Sequence, residues 1–282
     1  MEPLARTTKI NPQRLEASLR NRRELPVVTV ITAVLNAQNE IGETIRSVVS
    51  QDYPNIQYII IDGGSTDATL KEITSYDKDI AFWVSEPDHG ISDAWNKGIA
   101  VATGQYVSFL NAGDLYMPNA ITDVITSIGE SDFTWGDMIW VSNGGKETML
   151  RGRDTYALEL PYIMPFNHPT MFFKTDKVRE VGGYSKQYRL AMDYDLVRKM
   201  VLNGAQGAKV PVTIVKMRAG GVHDLNYAAT VAEVRKIAVI NGAPRLLAKF
   251  AAYYTVSTKN NNRTWAFMML ANTLRLLKRY LK

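Results

Sequence analysis

The chain has 282 residues, long enough for a substantial core in one α/β domain with appendages. Its hydrophobic content of 46% and charged content of 22% are those of a folded globular protein, and the lack of cysteine excludes disulfides, thiolate catalysis and cysteine-ligated zinc. The net charge of +5 is uneven, because residues 234 to 282 contain ten Lys or Arg and no Asp or Glu. A nucleic-acid binder more often spreads basic residues over its folded domain, so we expect no nucleic-acid partner and an anionic surface beside the tail.

Residues 1 to 26 form a basic lead-in without the apolar core of a signal peptide. The lead-in contains a possible short helix over 12 to 22 and ends at Pro26. No run of about 18 uninterrupted apolar residues occurs, so we predict no membrane-spanning helix. These features predict a cytoplasmic protein.

The first half of the chain alternates strand and helix patterns. Apolar runs rich in β-branched and aromatic residues predict buried strands at 27–34, 58–61, 81–84 and 105–110, and helices are expected at 40–50, from about 68, and at 91–102. Short connections between such elements favour parallel pairing and right-handed crossovers. Ligands of open α/β sheets bind beyond the carboxyl ends of the strands, so the polar turns there are the expected site.

The second half is less regular. We expect strands at 132–141, 168–173 and 210–217, a hairpin turn at 143–145, and helices near 175–181 and from 192 to about 203. The predicted fold class is α/β, with a Rossmann-like mixed sheet that is mostly parallel and flanked by helices, and with a C-terminal helical extension.

An acidic turn follows the strand at 105–110. Asn111, Ala112 and Gly113 break the apolar pattern and set Asp114 at the carboxyl end of the strand. A carboxylate there can hold a divalent cation through oxygen, and the cation can hold a diphosphate. The alternative is that Asp114 only caps the turn.

The order of five motifs resembles the family 2 glycosyltransferases of the GT-A fold. The matching stretches are VITAVLN at 30–36, IDGGSTD at 61–67, SEPDHGISDAWNKG at 85–98, LNAGD at 110–114 and MDYDL at 192–196. The resemblance covers residues 27 to 223. It implies sugar transfer from a nucleotide donor, usually with Mg²⁺ or Mn²⁺ and with inversion at the anomeric carbon.

The resemblance also implies residues that bind the donor. It places Asp62 against the nucleoside base, where an ionised carboxylate can accept a hydrogen bond from a uracil or guanine N–H. Asp88 resembles a second residue of the nucleoside pocket, with a turn role as the alternative, and for Asp62 the alternative is a helix cap. Asn36 and Lys97 lie in the matching motifs and complete this group together with Asn111.

Residues 111–114 occupy the place of the family's Asp-x-Asp motif but depart from it. Asp114 is the one carboxylate, and Asn111 could instead donate to a phosphate or ribose oxygen, so metal affinity is expected to be modest. We expect Mn²⁺ or Mg²⁺ as the cofactor, bound by Asp114 and the donor diphosphate. His223 resembles a late histidine that some GT-A enzymes supply to the metal, and a plain loop role is its alternative.

Asp193 falls where the family carries its catalytic base, although Met192 replaces the acid that usually precedes it. The base must lie beside the acceptor hydroxyl, opposite the departing diphosphate, for in-line displacement to invert the centre. A cap of its own helix is the alternative for Asp193, and Asp195 is expected to be structural. His168 and Asp137 are expected on the acceptor side, with structural roles as the alternatives.

The C-terminal tail is amphipathic. On a helical wheel over 265–282 the apolar residues fall on one side, and Arg275, Lys278, Arg279 and Lys282 fall on the other. This pattern predicts a helix lying in a membrane interface, at the inner face of a bacterial membrane. The alternative is a helix that packs on the domain or on a partner subunit of a homo-oligomer. The expected parts of the chain are a basic N-terminal lead-in at 1–26, a GT-A glycosyltransferase domain at 27–233 and a basic amphipathic helical tail at 234–282.

These features together predict an inverting, metal-dependent glycosyltransferase of the hexosyltransferase type. It would move a sugar from a nucleotide donor, with UDP the expected nucleotide, to a glycan or lipid-linked acceptor in bacterial surface polysaccharide synthesis. A non-catalytic nucleotide-sugar-binding protein is the alternative, suggested by the missing acids at Asn111 and Met192. A dinucleotide-dependent oxidoreductase is disfavoured, because the turn after the first strand, residues 33–39, contains no glycine.

Overall fold

A computed structural model describes residues 7–10, 25–154, 156–220 and 226–257, with the backbone alone at 7–10 and 253–257. The helix expected at 12–22, the residue His223 and the amphipathic tail at 265–282 lie outside the described residues.

The described strands form one mixed sheet in the order β1-β4-β3-β2-β5-β9-β7-β10-β6, with β8 paired to β7. Their bounds are β1 (Thr7–Ile10), β2 (Val28–Val34), β3 (Ile56–Asp62), β4 (Phe82–Ser85), β5 (Tyr106–Phe109), β6 (Leu115–Tyr116), β7 (Phe133–Val141), β8 (Glu147–Leu150), β9 (Phe172–Lys174) and β10 (Gly207–Arg218).

Helices cover both faces of this sheet. They are α1 (Ile41–Val49), α2 (Thr69–Ser75), α3 (Ile91–Val101), α4 (Ala120–Ser127), α5 (Tyr156–Glu159), α6 (Thr175–Glu180), α7 (Met192–Leu202), α8 (Tyr227–Ile240) and α9 (Arg245–Ser257). The helix α8 is continuous through residue 233, where the sequence suggests a domain boundary. Among the described helices, none is both long enough and apolar enough to cross a membrane.

The first half confirms the strand–helix alternation expected from the sequence. The strands β2, β3, β4 and β5 pair with one another in parallel, in the order β4-β3-β2-β5. Along β2, Val30 packs into one apolar cluster and the next residue, Ile31, packs into the cluster on the other face. A central strand buried on both faces needs apolar residues at consecutive positions, which explains the continuous β-branched run.

The prediction of a strand over 168–173 is wrong for its first residues. His168–Thr170 form a 3₁₀ turn, and β9 starts only at Phe172. Pro169 has no N–H to donate to a neighbouring strand, and the Thr170 hydroxyl and N–H both donate to the Asn167 carbonyl, at 2.7 and 2.9 Å. The turn thus delays the start of the strand to Phe172.

The strand directions bring the polar turns to one edge of the sheet. The carboxyl ends of β2 to β5 meet there, and β9 runs antiparallel to β5, so the turn before β9 lies at the same edge. β7 is antiparallel to β9 and parallel to β10. The carboxyl ends of β7 and β10 therefore lie at this edge too. We call this the carboxyl edge.

Candidate active site

The loops after β2 and β3 are joined by Asn36. This residue has a φ of 49°, in the left-handed region that asparagine tolerates better than most side chains. Its side-chain oxygen accepts from the Thr66 N–H at 2.9 Å, and its own N–H donates to the Ser65 hydroxyl at 2.7 Å. Asn36, a candidate for donor binding, therefore holds these two loops together at the carboxyl edge.

Asp62, the last residue of β3, is fully buried. Its carboxylate accepts three hydrogen bonds, from the Ser65 N–H at 3.0 Å, the Ser65 hydroxyl at 2.5 Å and the Ser85 hydroxyl at 2.5 Å. The carboxylate therefore fixes two half-buried hydroxyl groups at the ends of β3 and β4. The capping role suggested as an alternative is filled by Asp67 instead, whose carboxylate accepts from the Thr69 N–H at 2.9 Å.

Asp88 reaches the residue beside Asp62. One carboxylate oxygen accepts from the Gly90 N–H at 2.8 Å, and the other lies so close to Gly63 that a Cβ there would meet it at 2.8 Å. Glycine at 63 thus leaves room for the Asp88 carboxylate. The structure therefore brings Asp62 and Asp88, the two candidates for the nucleoside pocket, to neighbouring positions.

Lys97, on α3, is surrounded by acceptors. Its ammonium group lies 3.1 Å from Glu86 and 3.7 Å from Asp93, and it donates to the Pro87 carbonyl at 3.4 Å. The ammonium of Lys186, 2.5 Å from Asp93, is the largest cause of a lowered pKa for that carboxyl group. The charge of Lys97 is thus balanced locally, and the contact of this side chain with a donor stays a prediction.

The turn at 111–114 is held by Thr44 of α1. The Thr44 hydroxyl accepts from the Gly113 N–H at 2.9 Å and donates to the Asp114 carbonyl at 3.0 Å. Gly113 has a φ of 95°, which favours glycine. Asp114 is only 6% exposed, and burial raises the pKa of its carboxyl group to about 7.

Two oxygen atoms of this turn fit a hard divalent cation. The side-chain oxygen of Asn111 is buried without a hydrogen-bond partner among the described residues. The Asp114 carboxylate is desolvated, and a nearby positive charge would favour its ionised form. The described residues contain no group of three or more His, Asp or Glu side chains placed for a metal.

His168 lies in an aromatic cluster behind the carboxyl edge. Its ring stacks on Trp95 at 5.0 Å and on Phe109 at 5.8 Å between centroids, and its Nε2 lies 2.7 Å from the Tyr184 hydroxyl. Burial lowers the pKa of His168 to about 3, so the imidazole is neutral at pH 7. This is the environment of a structural histidine, and its role toward the acceptor stays a prediction.

Tyr184 was missed by sequence reasoning. Asn96 of α3 accepts from its N–H at 2.9 Å and donates to its carbonyl at 2.7 Å. The preceding Gly183 has a φ of 68°, and a Cβ there would lie 2.5 Å from the Asn96 side chain. The double-glycine turn at 182–183 was the signal that could have pointed to this close contact.

Asp193 lies in the first turn of α7. It is half-buried, and burial raises the pKa of its carboxyl group to about 6. The pKa of Tyr184 is raised first by burial and then by the charge of Asp193. Asp193 accepts from the Tyr194 N–H at 2.7 Å, so a base role and a role at the helix start are compatible.

Two further candidates have local partners. Asp137 on β7 accepts from the Gly152 N–H at 2.8 Å and lies 3.6 Å from the Lys209 ammonium. Asp195 is buried and lies 2.6 Å from Lys199, consistent with the structural role expected for it. Asp137 stays a prediction for the acceptor side.

Solved structures share this fold. The mannosyltransferase of Pyrobaculum calidifontis, solved with GDP-Man and Mn²⁺, aligns over 94% of this chain and 83% of its own with a TM-score of 0.62 and 20% identity. S. aureus TarS 1-349 with UDP-GlcNAc aligns over 86% of this chain and 73% of its own, with a TM-score of 0.63 and 17% identity. In a longer TarS structure the match spans 46% of that chain. The predicted GT-A fold is confirmed.

The chain belongs to glycosyl transferase family 2, whose profile matches residues 29–196. A glycosyltransferase of Haemophilus influenzae, itself uncharacterized, is 34% identical over 223 residues, which cover 70% of this chain and 66% of that protein. The PGL/p-HBAD biosynthesis glycosyltransferase of Mycobacterium bovis is 28% identical over 178 residues, or 60% of this chain and 68% of that protein. The family resemblance of the motifs is thus confirmed, and the protein is a sugar-transferring enzyme.

Proposed function

We propose that this glycosyltransferase takes its sugar from a UDP-linked donor, inverts the anomeric centre and glycosylates a glycan or lipid-linked acceptor in the synthesis of a bacterial surface polysaccharide. The observation that carries the proposal is a pair of carboxyl groups whose pKa values burial raises to about 7 and about 6: the buried Asp114, in the turn after β5, and the half-buried Asp193, in the first turn of α7. Strongly perturbed pKa values cluster at functional sites.

The nucleoside would bind where Asp62 and Asp88 come together. Asp62 fixes the hydroxyl groups of Ser65 and Ser85 by accepting the proton of each. The hydroxyl oxygens can then act only as acceptors toward a base or a ribose. The solved relatives in the same fold bind UDP-GlcNAc and GDP-Man, which supports a nucleotide-sugar donor of this general kind.

The donor diphosphate would lie at the turn of residues 111–114. Asp114 and the side-chain oxygen of Asn111 would hold Mn²⁺ or Mg²⁺, which neutralises charge on the departing diphosphate when bound. The Mn²⁺ in the mannosyltransferase structure supports this assignment. Because one carboxylate is available here, the chain binds the metal mainly when the donor supplies the remaining ligands.

Asp193 would accept the proton of the acceptor hydroxyl. Its raised pKa of about 6 leaves the carboxylate ionised at pH 7 and makes it a stronger base than an exposed aspartate. His168 is neutral and lies 2.7 Å from Tyr184, whose pKa is raised in part by the charge of Asp193, so this pair would shape the acceptor side of the base.

The Asp193→Asn variant tests the assignment of the base. We expect transfer to fall by about a hundredfold or more, in the range usual for loss of a general base, while the calorimetric affinity for UDP changes little. The matched control is Asp123→Asn, an exposed aspartate on α4. Retained turnover in the Asp193 variant would remove the residue from this role. Donor binding by the wild type without transfer to any acceptor would favour a nucleotide-sugar-binding protein instead.

Peripheral contact with the inner face of the cell membrane is part of the proposal. The first turns of α9 expose Leu246 by 81% and Phe250 by 52%, and the exposed Arg245 and Lys249 lie beside them. Residues four apart share one face of a helix, and no acidic residue occurs from 234 to the end of the chain. An apolar face bordered by basic residues fits an anionic bilayer surface.

A further inference from the structure

Three consecutive backbone N–H groups converge on one carboxylate between α7 and α8. The carboxylate belongs to Glu233, on α8. The Arg189 N–H donates to Oε1 at 3.2 Å, and the N–H groups of Leu190 and Ala191 donate to Oε2 at 2.9 and 3.0 Å. Hydrogen bonds to an ionised acceptor are the strong ones, so this contact fixes the path of residues 189–191.

This loop leads directly into the proposed base. Ala191 is the N-cap residue of α7, and its carbonyl accepts from the Asp195 N–H at 3.1 Å. Asp193 follows two residues after the N-cap, in the first helical turn. The N-cap side chain makes no capping hydrogen bond, so the start of α7 is held from outside by Glu233.

A second contact joins the same two helices. The Arg198 guanidinium, on α7, donates to the Asn241 carbonyl just after α8, at 3.2 Å. The match to the family profile ends at residue 196, before α8 begins at Tyr227. The helix α8 is therefore attached both to the loop that leads into α7 and to α7 itself.

We propose that Glu233 is a positioning residue for Asp193, which it holds toward the acceptor hydroxyl by binding the three N–H groups of residues 189–191. The proposal rests on the proposed function, in which Asp193 is the base. The helix α8 then belongs to the catalytic unit of this protein, although it lies beyond the residues that match the family profile. Small displacements of a catalytic group weaken catalysis strongly, because proton transfer requires hydrogen-bond geometry.

The test compares Glu233→Ala, Glu233→Gln and the control Arg235→Gln, which changes an exposed charge on the same helix. We expect Glu233→Ala to lower kcat by about tenfold or more, with the donor KM and the calorimetric affinity for UDP within about twofold of the wild type. The Gln side chain loses the charge but keeps an oxygen acceptor, so kcat should be intermediate. Arg235→Gln should match the wild type.

Hydrogen exchange at the amides of 189–191 gives a readout that needs no substrate. We expect exchange there to be faster in Glu233→Ala than in the wild type and Arg235→Gln, because the amides lose their acceptor. Wild-type kcat in a folded Glu233→Ala variant, or a lowered kcat with wild-type exchange at these amides, would overturn the proposal. If Glu233→Ala does not fold, the kcat of Glu233→Gln tests the proposal instead. A wild-type kcat in Glu233→Gln would then overturn the proposal.

The two proposals fail in different ways. If the wild type transfers no sugar, the proposed function fails, whereas the exchange experiment still shows whether Glu233 holds the loop. If the wild type transfers sugar and Asp193→Asn does not, but Glu233→Ala has wild-type kcat, the positioning role alone is overturned.

Discussion

The imidazole Nε2 of His168 and the hydroxyl of Tyr184 lie 2.7 Å apart in the interior of the protein. The ring of His168 is 7% exposed, and both residues pack against Trp95 and Phe109. The neutral imidazole can serve as the acceptor for the tyrosine hydroxyl, which gives the buried hydroxyl a partner. Protonation would remove that acceptor and place a charge in an aromatic cluster.

The pKa of His168 predicts acid lability. The folded-state pKa of about 3 is below the ordinary value of 6.5, so the unfolded chain binds more protons between these pH values. Stability contributed by the neutral ring is present above pH 6.5 and is lost as the pH falls. We expect His168→Gln to lose less stability than the wild type on going from pH 7 to pH 4.5, by roughly 2 to 3 kcal/mol.

Urea unfolding at the two pH values measures this difference. His89→Gln, which removes an exposed histidine, is the control and should keep the acid sensitivity of the wild type. An equal acid-induced loss of stability in His168→Gln and in the wild type would contradict the assignment.

Asp114 predicts the opposite dependence on pH. Its folded-state pKa of about 7 is above the ordinary 3.8, so the folded protein binds more protons between these values and its stability falls as the pH rises through them. Without metal at pH 8, Asp114→Asn should therefore be more stable than the wild type, by on the order of a few kcal/mol. Thermal melts across the pH range measure this.

The effect of metal on the melting temperature also distinguishes the wild type from Asp114→Asn. With UDP present, Mn²⁺ should raise the melting temperature of the wild type and of Asp123→Asn, because a ligand that binds only the folded state stabilises it. It should have little effect on Asp114→Asn. If Mn²⁺ raised the melting temperature of the Asp114 variant as much as that of the wild type, this carboxylate would be excluded as a ligand.

Asp62 should matter for donor binding through the hydroxyl groups that it fixes. Asp62→Asn removes the charge that accepts three hydrogen bonds from Ser65 and Ser85. We expect the affinity for UDP to fall about tenfold or more, which corresponds to about 1.4 kcal/mol. Ser85→Ala removes one of these bonds and should have a smaller effect. Calorimetry that finds unchanged affinity in a folded Asp62 variant would place the nucleoside elsewhere.

The strand–helix alternation and the parallel pairing of the first half could be predicted because their signals are local. The polar turn directly follows the β-branched run of β2 in the sequence, and short connections between elements restrict the topology. The same local signals brought Asp62, Asp88 and Asp114 to one edge. They failed at His168, where an apolar run containing Pro169 resembled a strand although its first residues form a 3₁₀ turn.

The remaining features depend on contacts between distant residues. Nothing near Glu233 in the sequence shows that its carboxylate accepts from amides more than 40 residues earlier. In the same way, the motif containing Asp62 does not reveal that Ser85, on another strand, shares its carboxylate. Such roles follow from packing, which a pattern within a short segment does not encode.

The exposed face of α9 predicts binding to an anionic bilayer. Leu246 and Phe250 are exposed by 81% and 52%, and transferring each side chain from water contributes about 1.5 to 3 kcal/mol at most. We expect the double variant Leu246→Glu with Phe250→Glu to lose binding to vesicles containing phosphatidylglycerol by about tenfold or more, because it removes apolar area and adds charges that the lipids repel. Cosedimentation at low and high salt measures the loss.

Leu202→Glu is the matched control, since Leu202 is also an exposed leucine, 53% accessible, at the end of α7. It should bind vesicles as the wild type does, and wild-type binding should weaken as salt rises because the lipid charges are screened. Unchanged vesicle binding by the double variant would exclude this face from the membrane contact. Loss of a larger species in gel filtration, with vesicle binding intact, would instead assign the face to a homo-oligomer.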